Sequence, residues 1–305
     1  RTNLPINHTK PPEIALNHLS LQKCHPQNPN RPTWQKEFLA PHLQPRLHPQ
    51  PRAPNAFTTL MSRKRPSTTS PTSQSQPPKR APPSRDGLLA YITHPSSYPS
   101  TRVIYHTPSF VAIHDLYPKS SVHTLLLPRS ETHMLMHPCD AFDDAEFLAG
   151  VKAEAAKLKV LVARELRRVY GPGSKADEKR ERVLNGDVEA DGDVDVDVEL
   201  PQGRDWEKEV MVGVHAGPSM NHLHVHVLSV DRYSECLKHR KHYNSFATGF
   251  FVPLEEFPLG REEVRKRSNT IGGDMKCWRC GENFGKKFKE LKAHLKVEFE
   301  AWKRE

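Results

Sequence analysis

Long apolar runs are what this 305-residue chain lacks first. None approaches the ~20 residues that a helix needs to cross a bilayer, and the start carries no apolar signal-peptide core. A soluble chain is expected. Cysteine is scarce as well: Cys24, Cys139 and Cys236 are scattered, and only Cys277 and Cys280 are close in sequence. That is not a disulfide framework, and it fits a reducing cytosol or nucleus. Hydrophobic residues make up 36% of the chain, below the usual globular share, so part of it is expected to stay unfolded. Acidic charge is outweighed, 36 Asp and Glu against 45 Lys and Arg, leaving a formal charge of +9 that suits a polyanionic partner.

The 28 prolines are unevenly spread. Residues 1–84 are rich in Pro, Ser, Gln and His with no sustained apolar period, which predicts a disordered tail. Arg63-Lys64-Arg65 and Lys79-Arg80 flank a Ser/Thr/Pro spacer in it, the pattern of a bipartite nuclear-import signal or a loose nucleic-acid tether. Order is expected from Asp86. A short helix over Gly87–His94 ends at Pro95, and strands follow over Arg102–His106, Phe110–His114 and Val122–Leu127. Phe147, Val151, Ala155, Leu158, Val162, Leu166 and Val169 recur at helical spacing, with Asp143 or Asp144 to cap the helix and Gly171 to stop it. Residues 171–203 turn polar and end in an Asp-Val alternation without the register of a calcium loop, so they read as a disordered acidic insertion. The domain limits expected are therefore 85–255, interrupted at 171–203, and 256–305, which opens on a basic helix over Arg261–Arg267.

Between Val214 and Ser229 the chain reads VHAGPSMNHLHVHVLS. In an extended strand His222, His224 and His226 share one face, and Leu223, Val225 and Val227 the other. Imidazoles in a row make a poor core, because each ring needs polar partners. The face is a surface strand, a zinc site, or a nucleophile with its attendants. The Gly217-Pro218-Ser219 turn favours the last, since free N–H groups and a hydroxyl can hold phosphate oxygens. A hairpin with the preceding strand would bring His215 close. The run Leu237-Lys-His-Arg-Lys-His-Tyr-Asn-Ser-Phe246 is densely basic and suits a nucleic-acid backbone.

Near the end, Cys277-Trp-Arg-Cys280 is followed after thirteen residues by His294 and, four later, Glu298. Two cysteines on a knuckle and two ligands at i and i+4 on a helix form a ββα zinc-finger plan, with Glu where His is usual. Lys286, Lys287, Lys289, Lys292 and Lys296 decorate the unit, as a module lying along phosphates requires.

The run His222-Leu-His224-Val-His226-Val-Leu228 resembles the signature of the histidine-triad hydrolases and transferases. With HAGPSMNHLHVHVLS, the ECLKHRKHYNSF segment and the Cys-Cys-His-Glu finger, the chain resembles the fungal aprataxin-like branch of that superfamily. The resemblance implies an α+β fold in which an antiparallel sheet packs against helices, followed by a small ββα finger holding one structural zinc ion. It implies His224 as nucleophile, with His222 and His226 orienting and polarising, and Ser219 donating to the oxyanion. Asp115, in Asp-Leu-Tyr-Pro118, would bind ribose hydroxyls, and His123 would lie behind the triad. His215 and Lys241 would stabilise transferred or leaving charge. The activity implied is removal of AMP from 5′-adenylated DNA or RNA–DNA ends through a His-AMP intermediate, by a nuclear monomer that binds DNA with little sequence preference. A hydrolase of small nucleotides, a metallohydrolase and a non-catalytic DNA-nick adaptor are the alternatives.

Overall fold

Strand alternation sorts this fold into two faces. The computed structural model describes residues 85–186 and 200–305. Its main sheet comprises β1 (Val103–His106), β2 (Phe110–His114), β3 (His123–Pro128), β4 (Val210–His215), β5 (Val225–Ser229) and β6 (Phe251–Pro253). They lie in the order β1-β2-β3-β5-β4-β6, every pair antiparallel. Ile113 pairs with Leu125, Leu125 with His226 and His226 with Gly213, so these four positions run across one face. Phe110, Ala112, Leu126, Val225 and Val227 point the other way, into the main core.

That core is closed by a long helix. Short helices α1 (Leu89–Thr93) and α2 (Pro138–Ala141) precede α3 (Ala145–Tyr170), whose first free N–H groups, from Glu146 and Phe147, donate to Asp144. Leu148, Val151, Ala155, Leu158, Val162 and Leu166 form its buried stripe. At roughly 1.5–3 kcal/mol per large apolar side chain, this seam is a main source of stability. It also leaves the opposite face of the sheet for the imidazoles.

The insertion expected over 171–203 is partly ordered: α4 (Glu178–Leu184) folds within it, and Lys175 and Ala176 donate backbone N–H groups to the carbonyls of Arg304 and Glu305. Asp177, fully buried, accepts from the Arg204 backbone and the Trp206 indole. Gly203 has φ +67° and a Cβ there would collide with that carboxylate, which explains the glycine. Composition hid this segment because hydrogen bonds, rather than apolar area, hold it. The rest of the insertion, 187–199, lies outside the described residues, as do the tail 1–84 and both basic clusters. Among the described residues, Cys139, Cys277 and Cys280 are free thiols.

The chain beyond the expected boundary at 255/256 packs back onto the main core. After α5 (Arg240–Ala247), α6 (Arg261–Ser268) and the β7 (Met275–Lys276) and β8 (Asn283–Gly285) ribbon comes α7 (Phe288–Trp302). Trp302, 1% exposed, enters the main core among Tyr170, Trp206 and Phe299. Its indole N–H donates to Glu209, and the Arg204 guanidinium lies 4.5 Å and 5.1 Å from the Trp206 and Trp302 rings. The main sheet and the C-terminal unit share one core. No helix among the described residues is long and apolar enough to cross a membrane.

Candidate active site and metal centre

The imidazole face opens into a cavity of about 550 Å³. Asp115, His123, His215, Ser219, His224, His226 and Lys241 all line it, which unites seven of the eight expected site residues outside the finger. His222 is the exception. It precedes β5, its ring is buried away from the cavity, and its Nδ1 finds no hydrogen-bond partner among the described residues. Strict alternation fails there because the strand begins only at Val225.

What His222 supplies is its carbonyl. His224 Nδ1 lies 2.8 Å from that oxygen, which can only accept, so Nδ1 carries the proton and Nε2 keeps its lone pair. Burial lowers the His224 pKa, so the ring is neutral at physiological pH. A neutral, tautomer-fixed imidazole is a nucleophile.

The same reasoning runs through its neighbours. The Lys119 N–H donates to His123 Nδ1 at 3.1 Å, which leaves the proton on Nε2. His123 Nε2 lies 2.9 Å from His226 Nδ1, which must accept, so His226 bears its proton on Nε2. That N–H has no partner among the described residues. Burial holds His226 and His215 well below the ordinary imidazole pKa and brings His123 down to about 4. His226 is thus a neutral donor poised for a ligand oxygen.

Packing fixes the ring planes. The Phe246 ring centroid lies 4.7 Å from that of His215, 5.1 Å from His226 and 5.3 Å from His123. His215 packs 4.4 Å from His226, and its Nε2 is likewise without a partner among the described residues. Gly213, paired with His226, has no Cβ because one would come within 2.7 Å of the Phe251 ring. The Gly217-Pro218-Ser219 turn is pinned from the start of the fold: Arg85 Nε donates to the Ser219 carbonyl, and Asn221 Nδ2 to Asp86.

Asp115, His123 and His226 place three ligand atoms within 4.8 Å, which raises the metallohydrolase alternative. The tautomers count against it. The Lys119 amide keeps the His123 proton on Nε2, the atom facing the other two, and His226 Nδ1 already accepts it. This is a hydrogen-bond relay.

Cys277, Cys280, His294 and Glu298 do converge, with all four ligand atoms within 4.8 Å of one another. Cys280 Sγ and Glu298 Oε1 each lie 3.2 Å from His294 Nε2. Tetrahedral zinc, with bonds of about 2.0–2.3 Å, sets its ligands roughly 3.3–3.8 Å apart, so the donor set fits zinc. The turn Gly281 (φ +79°) shapes the knuckle, and α7 presents His294 and Glu298 one turn apart. Arg279 donates to the other Glu298 oxygen at 2.6 Å and holds that carboxyl below its usual range.

Sequence reasoning missed Lys119, His242, Ser245 and Phe246 as cavity residues. The basic run around Lys241 read as a charge cluster, but it folds as α5, with Tyr243, Asn244, Ser245 and Phe246 buried. The aromatic and polar residues spaced among its cations were the available signal.

Fold, relay and metal centre together define a histidine-triad hydrolase with an appended zinc finger, and comparison with known proteins agrees. Residues 98–233 match the HIT domain, and residues 247–301 the C2HE / C2H2 / C2HC zinc-binding finger. The aprataxin-like protein of Schizosaccharomyces pombe is 34% identical over 72% of this chain and 82% of its own length. That of Saccharomyces cerevisiae is 32% identical over 70% and 95%. The crystal structure of the aprataxin ortholog Hnt3 in complex with DNA superposes with a TM-score of 0.55 at 31% identity, covering 72% of this chain and 96% of that one. The chain belongs to the aprataxin-like proteins.

Proposed function

We propose that this protein removes AMP from 5′-adenylated DNA or RNA–DNA ends, the products of abortive ligation. His224 Nε2 attacks the AMP phosphorus; a P–N bond forms as the P–O bond to the 5′-phosphate breaks, and the electron pair leaves on that oxygen. Water then attacks the same phosphorus, the P–N bond breaks, and AMP departs. The proton released by water goes to solvent or to the phosphate products. Imidazole suits both halves, as nucleophile and as leaving group. His226 Nε2–H steadies a phosphoryl oxygen through both, Ser219 donates beside it, and Asp115 accepts from the ribose hydroxyls. The observation that carries this reading is the pair of opposite tautomers at His224 and His226, one ring with a free lone pair and the next with a free N–H.

Polynucleotide rather than small-nucleotide chemistry is supported by the finger, where Lys286, Lys287, Lys289 and Lys296 are exposed, and by the DNA complexes of Hnt3. Lysines along a phosphate chain release counterions without reading sequence. One zinc ion held by Cys277, Cys280, His294 and Glu298 would be structural, fixing the knuckle against α7. A monomer working in the nucleus completes the proposal.

The test is single-turnover reaction on a 5′-adenylated nick, quenched in base to preserve a phosphoramidate. Radiolabelled AMP should transiently attach to the wild-type chain and never to His224→Ala, which should still bind the nick. Equal turnover by His224→Ala would overturn the mechanism, and faster turnover of adenosine phosphoramidate than of adenylated DNA would favour a small-nucleotide hydrolase.

A further inference from the structure

Among the titratable side chains in the cavity that the mechanism leaves without a role is His242. His242 sits on α5 next to Lys241, and both line the cavity. The opposite side of the helix is locked down. Tyr243 and Asn244 are fully buried; Tyr243 donates its hydroxyl to the Lys276 carbonyl at 2.7 Å, and Asn244 Nδ2 donates to the carbonyls of Ile271 and Gly273 at 3.1 Å and 2.8 Å. A helix anchored this way cannot rotate its outer face away from the cavity.

The His242 tautomer is also fixed. The Lys238 backbone N–H donates to Nδ1 at 3.2 Å, so the ring proton stays on Nε2. The His239 ring packs against it at a centroid distance of 3.6 Å. Burial first, then the nearby His239 and Lys119, outweigh a backbone hydrogen bond to Cys236 and bring the His242 pKa down to about 4, so the ring is neutral at working pH. Backbone groups of Cys236 and Lys238 hold this ring at the cavity wall, and Nε2 carries its one N–H.

We propose that His242 is a leaving-group residue, whose Nε2–H donates to a non-bridging oxygen of the polynucleotide 5′-phosphate as that phosphate departs. The inference rests on the substrate reading above and adds a basis for choosing among substrates. When the P–O bond breaks, the electron pair stays on the bridging oxygen, and the departing group gains one negative charge. A donor preset toward that group stabilises the added charge, and His242 gives up no proton. The Lys241 ammonium, one residue away, supplies the opposite charge. An amine leaving group, as in adenosine phosphoramidate, brings no phosphate oxygen to this position, so the site prefers phosphate-bearing leaving groups.

The experiment compares wild type, His242→Ala and His242→Gln on a 5′-adenylated nick and on adenosine phosphoramidate. A charged-acceptor hydrogen bond corresponds to roughly a 10–100-fold effect, so His242→Ala should lose about that much kcat/KM on the nick and little on the phosphoramidate. Gln retains an N–H of similar reach and should recover most of the loss. Equal losses on the two substrates, no loss on the nick, or a Gln variant no better than Ala would overturn the proposal. A wild-type protein active on the phosphoramidate and inert on the nick would overturn the substrate reading itself, and this inference with it.

Discussion

The Tyr243 hydroxyl donates to the carbonyl of Lys276, the residue immediately before the metal ligand Cys277. Tyr243, Cys277, Leu291 and Leu295 also share one small apolar cluster. A side chain from α5, the helix that brings Lys241 and His242 to the cavity, is therefore part of the finger's own core. Removing the metal should loosen α5 and the cavity wall it carries, as well as the lysine-bearing surface. Cys277→Ser should accordingly lose zinc, lower the melting temperature, and slow turnover of adenosine phosphoramidate, a substrate too small to need the finger. Undiminished turnover of that compound by the zinc-free variant would show that the finger serves only DNA.

Asn244 tests the same linkage without touching a ligand. It is a positioning residue, holding α5 through two carbonyls of the 271–273 turn. Losing two buried hydrogen bonds costs about 1–3 kcal/mol. Asn244→Ala should keep its zinc, as read by metal analysis, and lower kcat on both substrates with little change in KM. A drop confined to the folded fraction, with normal kcat per active site, would make Asn244 merely structural.

His123→Phe should separate shape from proton placement. The ring keeps its edge contact with Phe246, but His226 Nδ1 loses its donor, and the tautomer that presents Nε2–H is no longer enforced. A fall of roughly 10–100-fold in kcat is expected, in keeping with one misplaced hydrogen bond to a charged group. Full activity in the Phe variant would refute the relay from Lys119.

Acid should destabilise the protein for a nameable reason. His123, with a pKa brought down to about 4, and His215, His224 and His226, all lowered by burial, stay neutral in the folded state. In the unfolded chain they protonate near pH 6.5. The unfolded state thus binds more protons between about pH 6.5 and about pH 4, so stability is fully present above that window and falls through it on acidification. Each unit of separation contributes about 1.4 kcal/mol per group. Urea midpoints between pH 7 and pH 5 should show this slope, and His215→Phe should flatten it; identical slopes would assign acid sensitivity elsewhere, for instance to zinc release.

Trp302→Ala probes the shared core. The indole is buried among Tyr170, Trp206 and Phe299 and hydrogen-bonds Glu209. Truncating a buried Trp costs about 3–5 kcal/mol, and a single cooperative transition moving to lower temperature is expected. Two separated transitions in the wild type would show that sheet and finger unfold independently.

The sequence by itself determined most of the elements and which side chains could share a site. Alternation set β5, the apolar period set α3, and the spacing of Cys277, Cys280, His294 and Glu298 set the metal centre, because local geometry alone decides which side chains share a face or a turn. It placed seven of its eight non-finger candidates at the cavity. Only the tertiary structure decided the rest. That His222 acts through its carbonyl, that Lys119 and Lys238 amides fix the tautomers of His123 and His242, and that Asp177 orders part of an acidic segment all depend on backbone groups, which every residue carries and no sequence pattern marks. The merging of finger and sheet into one core was equally unreadable, since it rests on Trp302 meeting Tyr170 and Trp206, residues far away in sequence.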